Sequence, residues 1–168
     1  NIPNSVAKIG ISAFEGCTSL TSIDIPASVT EIGSGVFGGC SALTSIKVNE
    51  DNPIYDSRNN CNAIIETASN TLYSGISSTI IPNSVTGIGA DAFNNCTALK
   101  TVTLADGCAL EFIGNYAFRN CKNLTKLDFT TSLASDSNYI YMSDKITNIG
   151  TNAFMNCTGI SKIYLNDK

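Results

Sequence analysis

Residues 2–24 read IPNSVAKIGISAFEGCTSLTSID, and residues 25–47 read IPASVTEIGSGVFGGCSALTSIK. An offset of 23 residues places Gly10 on Gly33, Phe14 on Phe37, Cys17 on Cys40, Leu20 on Leu43 and Ile23 on Ile46. The pattern returns from Ile81 as IPNSVTGIGADAFNNCTALKTVT, then as FIGNYAFRNCKNLTKLDF around Phe118 and as NIGTNAFMNCTGISKIYL around Phe154. A period of this size marks an array in which each unit buries its apolar side only against its neighbours.

The tripeptide Ile23-Asp24-Ile25 alternates apolar and polar, as a short strand with one wet face does. Such strands end at Ile2, Ile25, Val48, Ile81, Leu104, Phe129 and Leu165. The expected fold is therefore mainly β: a right-handed solenoid with one parallel sheet of about seven short strands. The array forms a single domain, with coils at 1–24, 25–48, 49–81, 82–104, 105–129 and 130–168. Short 3-10 or helical turns are expected at the AFxxC segments. Val6, Ile9, Val29 and Ile32 should line the opposite wall, and Phe14, Phe37, Phe93, Phe118 and Phe154 should stack as an internal spine. The Gly after each Ile (Gly10, Gly33, Gly89, Gly114 and Gly150) implies either a positive φ or backbone crowding. Two coils carry insertions. NAIIE at 62–66 and TLYSG at 71–75 flank a polar turn and read as a β-hairpin on the convex side.

Composition narrows function. Asn, Ser and Thr number 19, 19 and 17 of the 168 residues, while charged residues are only 14%. That balance suits many short strands and corners. A net charge of −4 argues against nucleic acid as a partner. With no His in the chain, Ser-His-Asp and Cys-His catalysis and imidazole metal sites are excluded. There is no apolar run of the roughly 18 residues that would cross a bilayer, and no P-loop or dinucleotide fingerprint. The chain opens Asn1-Ile2-Pro3, with no Met and no basic or apolar leader, so an export signal or anchor is not expected within these residues.

The seven cysteines cannot all pair within one chain, and no C-x-x-C occurs. Adjacent coils hold Cβ atoms about 4.8 Å apart, wider than a disulfide prefers. Cys17, Cys40, Cys96, Cys121 and Cys157 therefore read as structural thiols donating to backbone carbonyls. Cys61 and Cys108 lie off the pattern and are the candidates for reactivity or pairing. Glu50-Asp51-Asn52 with Asp56 lacks EF-hand spacing and reads as a solvated turn rather than a calcium site. Asn95-Cys96-Thr97, Asn123-Leu124-Thr125 and Asn156-Cys157-Thr158 match the glycosylation triplet but fall on repeat positions. No residues converge as a catalytic or metal-binding set, and no cofactor is implied.

Binding candidates remain. The outward positions of the sheet are Asp24, Lys47, Ile80, Thr103, Asp128 and Tyr164, flanked by Thr101, Lys126 and Lys162. They make a mild face of mixed charge with no focused field. The second insertion, at 131–144, offers Tyr139, Tyr141 and Met142 on a loop, residue types that interfaces favour.

The string SVTxIGxxAFxxCxxLTSIxIP resembles the leucine-rich repeat of BspA-like surface proteins. NPIYDSRNNCNAIIETASNTLYSGISSTIIPN, at 52–83, resembles the variant module that interrupts such arrays. The resemblance implies a leucine-rich-repeat solenoid and an exported protein, extracellular or on the bacterial surface, whose relatives act in adhesion to host proteins or other cells. It carries no catalytic residues. Two readings follow: a non-enzymatic recognition module for a protein ligand, host extracellular proteins among the candidates, or a structural spacer or glycan-binding accessory segment of a larger exported protein.

Overall fold

The computed structural model describes residues 1–105, 107–108, 110–128, 139–141 and 145–164, with only the backbone at 128, 139–141 and 164. Every ordinary coil spends two residues in the left-handed region. Ser12, Gly35, Asp91, Tyr116 and Asn152 stand at the first place and Gly16, Gly39, Asn95, Asn120 and Asn156 at the second, with φ between 53° and 73°. Two such residues within five cannot continue a helix. The AFxxC segments are accordingly chains of single turns, not the 3-10 or helical turns that the sequence suggested. The one 3-10 segment among the described residues is Arg58–Asn60. Alternate peptides face two ways. Ala13, Glu15 and Cys17 N–H groups bond carbonyls three residues back, while Ser12, Phe14 and Gly16 donate to Ser34, Val36 and Gly38 of the next coil at 3.0, 3.1 and 2.8 Å. This turn wall is thereby a hydrogen-bonded ladder in its own right.

Two further walls complete the coil. On the front, Ser22–Ile25 pairs in parallel with Ser45–Val48. A separate five-stranded sheet runs in the order Ile80–Ile81, Thr101–Leu104, Lys126–Asp128, Tyr139–Tyr141, Lys162–Tyr164. The expected single ladder is thus two sheets. Ile2 starts no strand, a rung appears at Tyr139–Tyr141, and Phe129 and Leu165 lie outside the described residues. On the back, Lys8–Ile9 pairs with Glu31–Ile32, and the two-residue strands Gly87–Ile88, Phe112–Ile113 and Asn148–Ile149 continue from the hairpin.

That hairpin explains the break. Ala63–Glu66 pairs antiparallel with Thr71–Gly75, which pairs in parallel with Gly87–Ile88. The hairpin lies in the back wall, as a wedge between two cores rather than as a cover. Ile64 packs among Val29, Phe37 and Ile46, while Ala63, Ile65 and Leu72 pack with Phe93 and Leu99. The phenylalanine spine divides at the same place. Phe14 stacks on Phe37 at 5.8 Å, and Phe93, Phe118 and Phe154 form a second stack at 5.1 and 5.3 Å.

The recurrent glycine answers to crowding, not to dihedral angle. A Cβ on Gly33 would lie 2.2 Å from the Ile11 nitrogen, and one on Gly114 would lie 2.6 Å from the Ala90 nitrogen. Neither glycine has a positive φ. The corner of one coil rests directly on the backbone of the coil before it.

A polar buckle ties the variant module to its neighbours. Arg58 grips both oxygens of Asp56, at 2.8 and 2.5 Å, and reaches Asn70 Oδ1 at 2.8 Å and Ser84 Oγ at 3.2 Å. Burial pushes the Asp56 carboxyl up, but the bonds from Arg58 and Thr67 outweigh it and leave it below the ordinary range. A depressed carboxylate stabilises the fold above its unfolded pKa, and the contribution fades as pH falls through the folded value. Asp56→Asn should therefore cost about 1–2 kcal/mol at neutral pH, after allowance for partial exposure. In urea titrations at several pH values, the gap between Asp56→Asn and wild type should narrow below about pH 4.

Candidate binding surface

The front wall alternates as its sequence requires. Ile23 and Ile25 are buried while Ser22 and Asp24 are exposed, and Val102 is buried between exposed Thr101 and Thr103. The register then sets residues of successive strands in columns. Asp24 stands opposite Lys47 in the two-stranded sheet. In the five-stranded sheet, Thr101 stands opposite Lys126, Lys126 opposite Tyr139, and Tyr139 opposite Lys162. In the neighbouring column Ile80 stands opposite Thr103, and Asp128, Tyr141 and Tyr164 are in line.

This arrangement corrects the sequence reading of the second insertion. Tyr139 and Tyr141 belong to a strand, not to a loop, and Met142 lies outside the described residues. The 36 residues between Lys126 and Lys162 comprise a short step of 13 to Tyr139 and an ordinary step of 23 to Lys162. Two candidate sets, the sheet face and the insertion tyrosines, thereby share one sheet. Asp24 and Lys47 are not in that sheet. Across the break the two parts are joined by the Ser78 hydroxyl, which donates to the Thr44 carbonyl at 3.2 Å.

Three of the five repeat thiols are used as expected, while Cys17, in the first coil with no coil before it, is exposed. All seven cysteines are free. Cys40, Cys121 and Cys157 donate to the carbonyls of Phe14, Phe93 and Phe118 of the preceding coil, at 3.0, 3.0 and 2.9 Å. Burial pushes the Cys96 thiol up to about 11 and raises Cys40 and Cys61 as well. The Cys157 thiol beside it, together with burial, pushes Cys121 up. Protonated, enclosed thiols are poor nucleophiles. Cys61 is 1% exposed, and Cys108 points to the Pro82 and Val85 carbonyls at 3.6 and 3.8 Å. Asn52 makes the equivalent contacts to Pro26 and Val29 at 2.9 Å, which accounts for Cys108 as a substitute in that role. The same bonds commit Asn52 to structure, and Asp56 is held by Arg58 and Thr67. Among the described residues no group of three His, Cys, Asp or Glu is placed to hold a metal ion.

The asparagines form a ladder of their own. Asn156 donates to Asn120, Asn120 to Asn95, and Asn95 to the carboxylate of Glu15, at 2.8, 2.6 and 3.0 Å. Asn123 donates to the Thr97 carbonyl at 2.8 Å. The amide nitrogens of all three glycosylation triplets are thus engaged in the stack. The signal was the recurrence of Asn at one repeat position, read in the sequence as a motif by-product.

A coil of this geometry, repeated along the chain, matches a known sequence model. The model for the BspA-type leucine-rich repeat region matches residues 1–68 and 65–168, in six copies. The chain belongs to the BspA-type leucine-rich repeat family. A leucine-rich repeat protein from Eubacterium ventriosum shares 25% identity over 99% of the chain, with a TM-score of 0.74. A leucine-rich cell surface protein from Faecalibacterium prausnitzii shares 28% identity over 99%, with a TM-score of 0.60. The pneumococcal vaccine antigen PcpA is similar in fold, at 20% identity over 96% and a TM-score of 0.69. The chain spans 41%, 53% and 43% of the length of these structures. Comparison with curated proteins finds no match. BspA-type repeats are of the bacterial surface type and leucine-rich repeats generally mediate protein interactions. No helix among the described residues is long and apolar enough to cross a membrane.

Proposed function

We propose that this BspA-type solenoid is a non-enzymatic recognition module of an exported or surface protein, and that it takes a protein ligand on the exposed face of its five-stranded sheet. The observation that carries this reading is the extra rung at Tyr139–Tyr141. It sets Tyr139 in register between Lys126 and Lys162, and Tyr141 in register with Asp128 and Tyr164. Tyrosine supplies large contact area at little entropic cost. An extra rung is not needed to close the coil, since other coils step 23 residues from strand to strand without one, as from Ser22 to Ser45. Surface location is supported by the family and by the Faecalibacterium neighbour, a leucine-rich cell surface protein.

The test is a binding screen of the purified chain against immobilised extracellular host proteins, run beside a variant with Asp128 and Lys162, both on strands of the five-stranded sheet, reversed in charge. The expected result is at least one hit that the variant loses. Hits that the variant retains at full strength would remove the sheet face as the site. No hit at all would return the chain to the role of spacer.

A further inference from the structure

The five ordinary coils are five versions of one segment, so a residue that departs from what its place requires stands out by internal comparison. At the first left-handed place four coils carry Ser12, Gly35, Asp91 and Asn152, all small or able to bond their own backbone. The fifth carries Tyr116, at φ 57°. A bulky aromatic residue there is a conformational outlier, and such outliers gather at functional positions. Stacking does not call for the ring. The Tyr116 N–H bonds the Thr151 carbonyl at 3.0 Å, just as Ser12 bonds Ser34 at 3.0 Å.

Three residues further on, the same coil departs again. Arg119 occupies the place of Glu15, Gly38, Asn94 and Met155. Its guanidinium carbon lies over the Tyr116 ring at 5.5 Å, and its buried Nε has no hydrogen-bond partner. Met155 of the next coil is 44% exposed. Tyr, Arg and Met are three of the residue types enriched where proteins meet.

We infer that the turn wall around Tyr116, Arg119 and Met155 is a second interaction surface, which takes a protein segment presenting a carboxylate beside an apolar side chain. The planar guanidinium of Arg119 presents a fork of N–H donors of the kind that selects a carboxylate, and Met155 with the Tyr116 ring supplies the apolar contact. Asp91, close enough to interact with Arg119, balances part of its charge. One carboxylate is therefore accommodated, whereas a polyanion meets repulsion from Asp91 and from a chain of net charge −4. This surface uses the turn wall, not the front wall, so it stands or falls separately from the sheet-face reading.

The test compares wild type with Tyr116→Asn and Arg119→Gln. Tyr116→Asn installs the residue already used at Asn152 and should raise the melting temperature by a few degrees, because left-handed strain is relieved. Amide chemical shifts in the ¹⁵N-labelled chain are then followed against a blocked Gly-Leu-Asp-Leu-Gly peptide and its Gly-Leu-Asn-Leu-Gly counterpart. The expected result is concentration-dependent shifts around 115–120 and 152–156 with the aspartyl peptide only, lost in both variants. A lower melting temperature for Tyr116→Asn would show that the ring is there for packing and would overturn the inference. So would the absence of shifts in wild type, equal shifts with the asparaginyl peptide, or shifts unchanged in Arg119→Gln.

Discussion

Phe118→Ala should cost about 3–5 kcal/mol of folding stability, more than any other single truncation in the spine. The Phe118 side chain is 0% exposed and is stacked on both faces, against Phe93 at 5.1 Å and Phe154 at 5.3 Å. Removing the ring opens a cavity that two flanking rings, each fixed by its own coil, cannot collapse to fill. Phe14 provides the control. It stacks on Phe37 alone and is only partly buried, so Phe14→Ala should cost roughly half as much. Urea denaturation of the two variants decides the matter. Equal losses at Phe14 and Phe118 would mean that the spine does not act through stacking between coils.

The second large effect needs only one methyl group. Gly114→Ala should destabilise by about 3 kcal/mol, because overpacking forces backbone apart rather than a flexible side chain. The new Cβ would fall 2.6 Å from the Ala90 nitrogen and 2.7 Å from the Gly89 carbonyl carbon. Gly10 holds the same repeat position, yet nothing lies within 4 Å of a Cβ built there. Gly10→Ala should accordingly be neutral or slightly stabilising, through the lower entropy of the unfolded chain. Thermal melts of both variants form a matched pair. A similar loss at both sites would show that the glycine is kept for its dihedral angle and not for coil-to-coil contact.

The repeat was legible because stacking imposes the same demand on every coil. Ile23, Ile46, Val102 and Leu127 must be apolar, and each is at most 8% exposed. The glycine corner and the thiol contacts of Cys40, Cys121 and Cys157 were legible for the same reason, whereas Cys17 is exposed. What the sequence hid was register. The 13 residues from Lys126 to Tyr139 contain no IGxxAF signature, so the extra rung has no pattern to announce it, and only strand pairing reveals that Tyr139 and Tyr141 enter the sheet. The hairpin was visible as alternating residues around a polar turn, but its role as a wedge depends on which side each residue faces. Ile64 and Ile65 are adjacent and both 0% exposed, yet they belong to different cores. Period-two reading predicts opposite faces without saying that both are covered. The left-handed asparagines escaped notice because Asn suits a turn in many conformations.

Of the candidate surface, the residue types were readable and the assembly was not. Asp24 and Lys47 belonged, on sequence alone, to the same continuous face as Asp128 and Lys162. The front strands fall instead into two sheets, and the insertion tyrosines join the larger one.

The central claim, that this larger part carries the ligand, is tested most directly by surface plasmon resonance with the protein ligand recovered in the screen. Wild type is compared with the double variant Tyr139→Ala and Tyr141→Ala, and with Ser22→Ala and Asp24→Ala in the separate two-stranded sheet. The account predicts that the tyrosine variant binds about tenfold or more weakly at an unchanged melting temperature, while the Ser22 and Asp24 variant binds as wild type does. Full affinity in the tyrosine variant, or an equal loss in both, would contradict it.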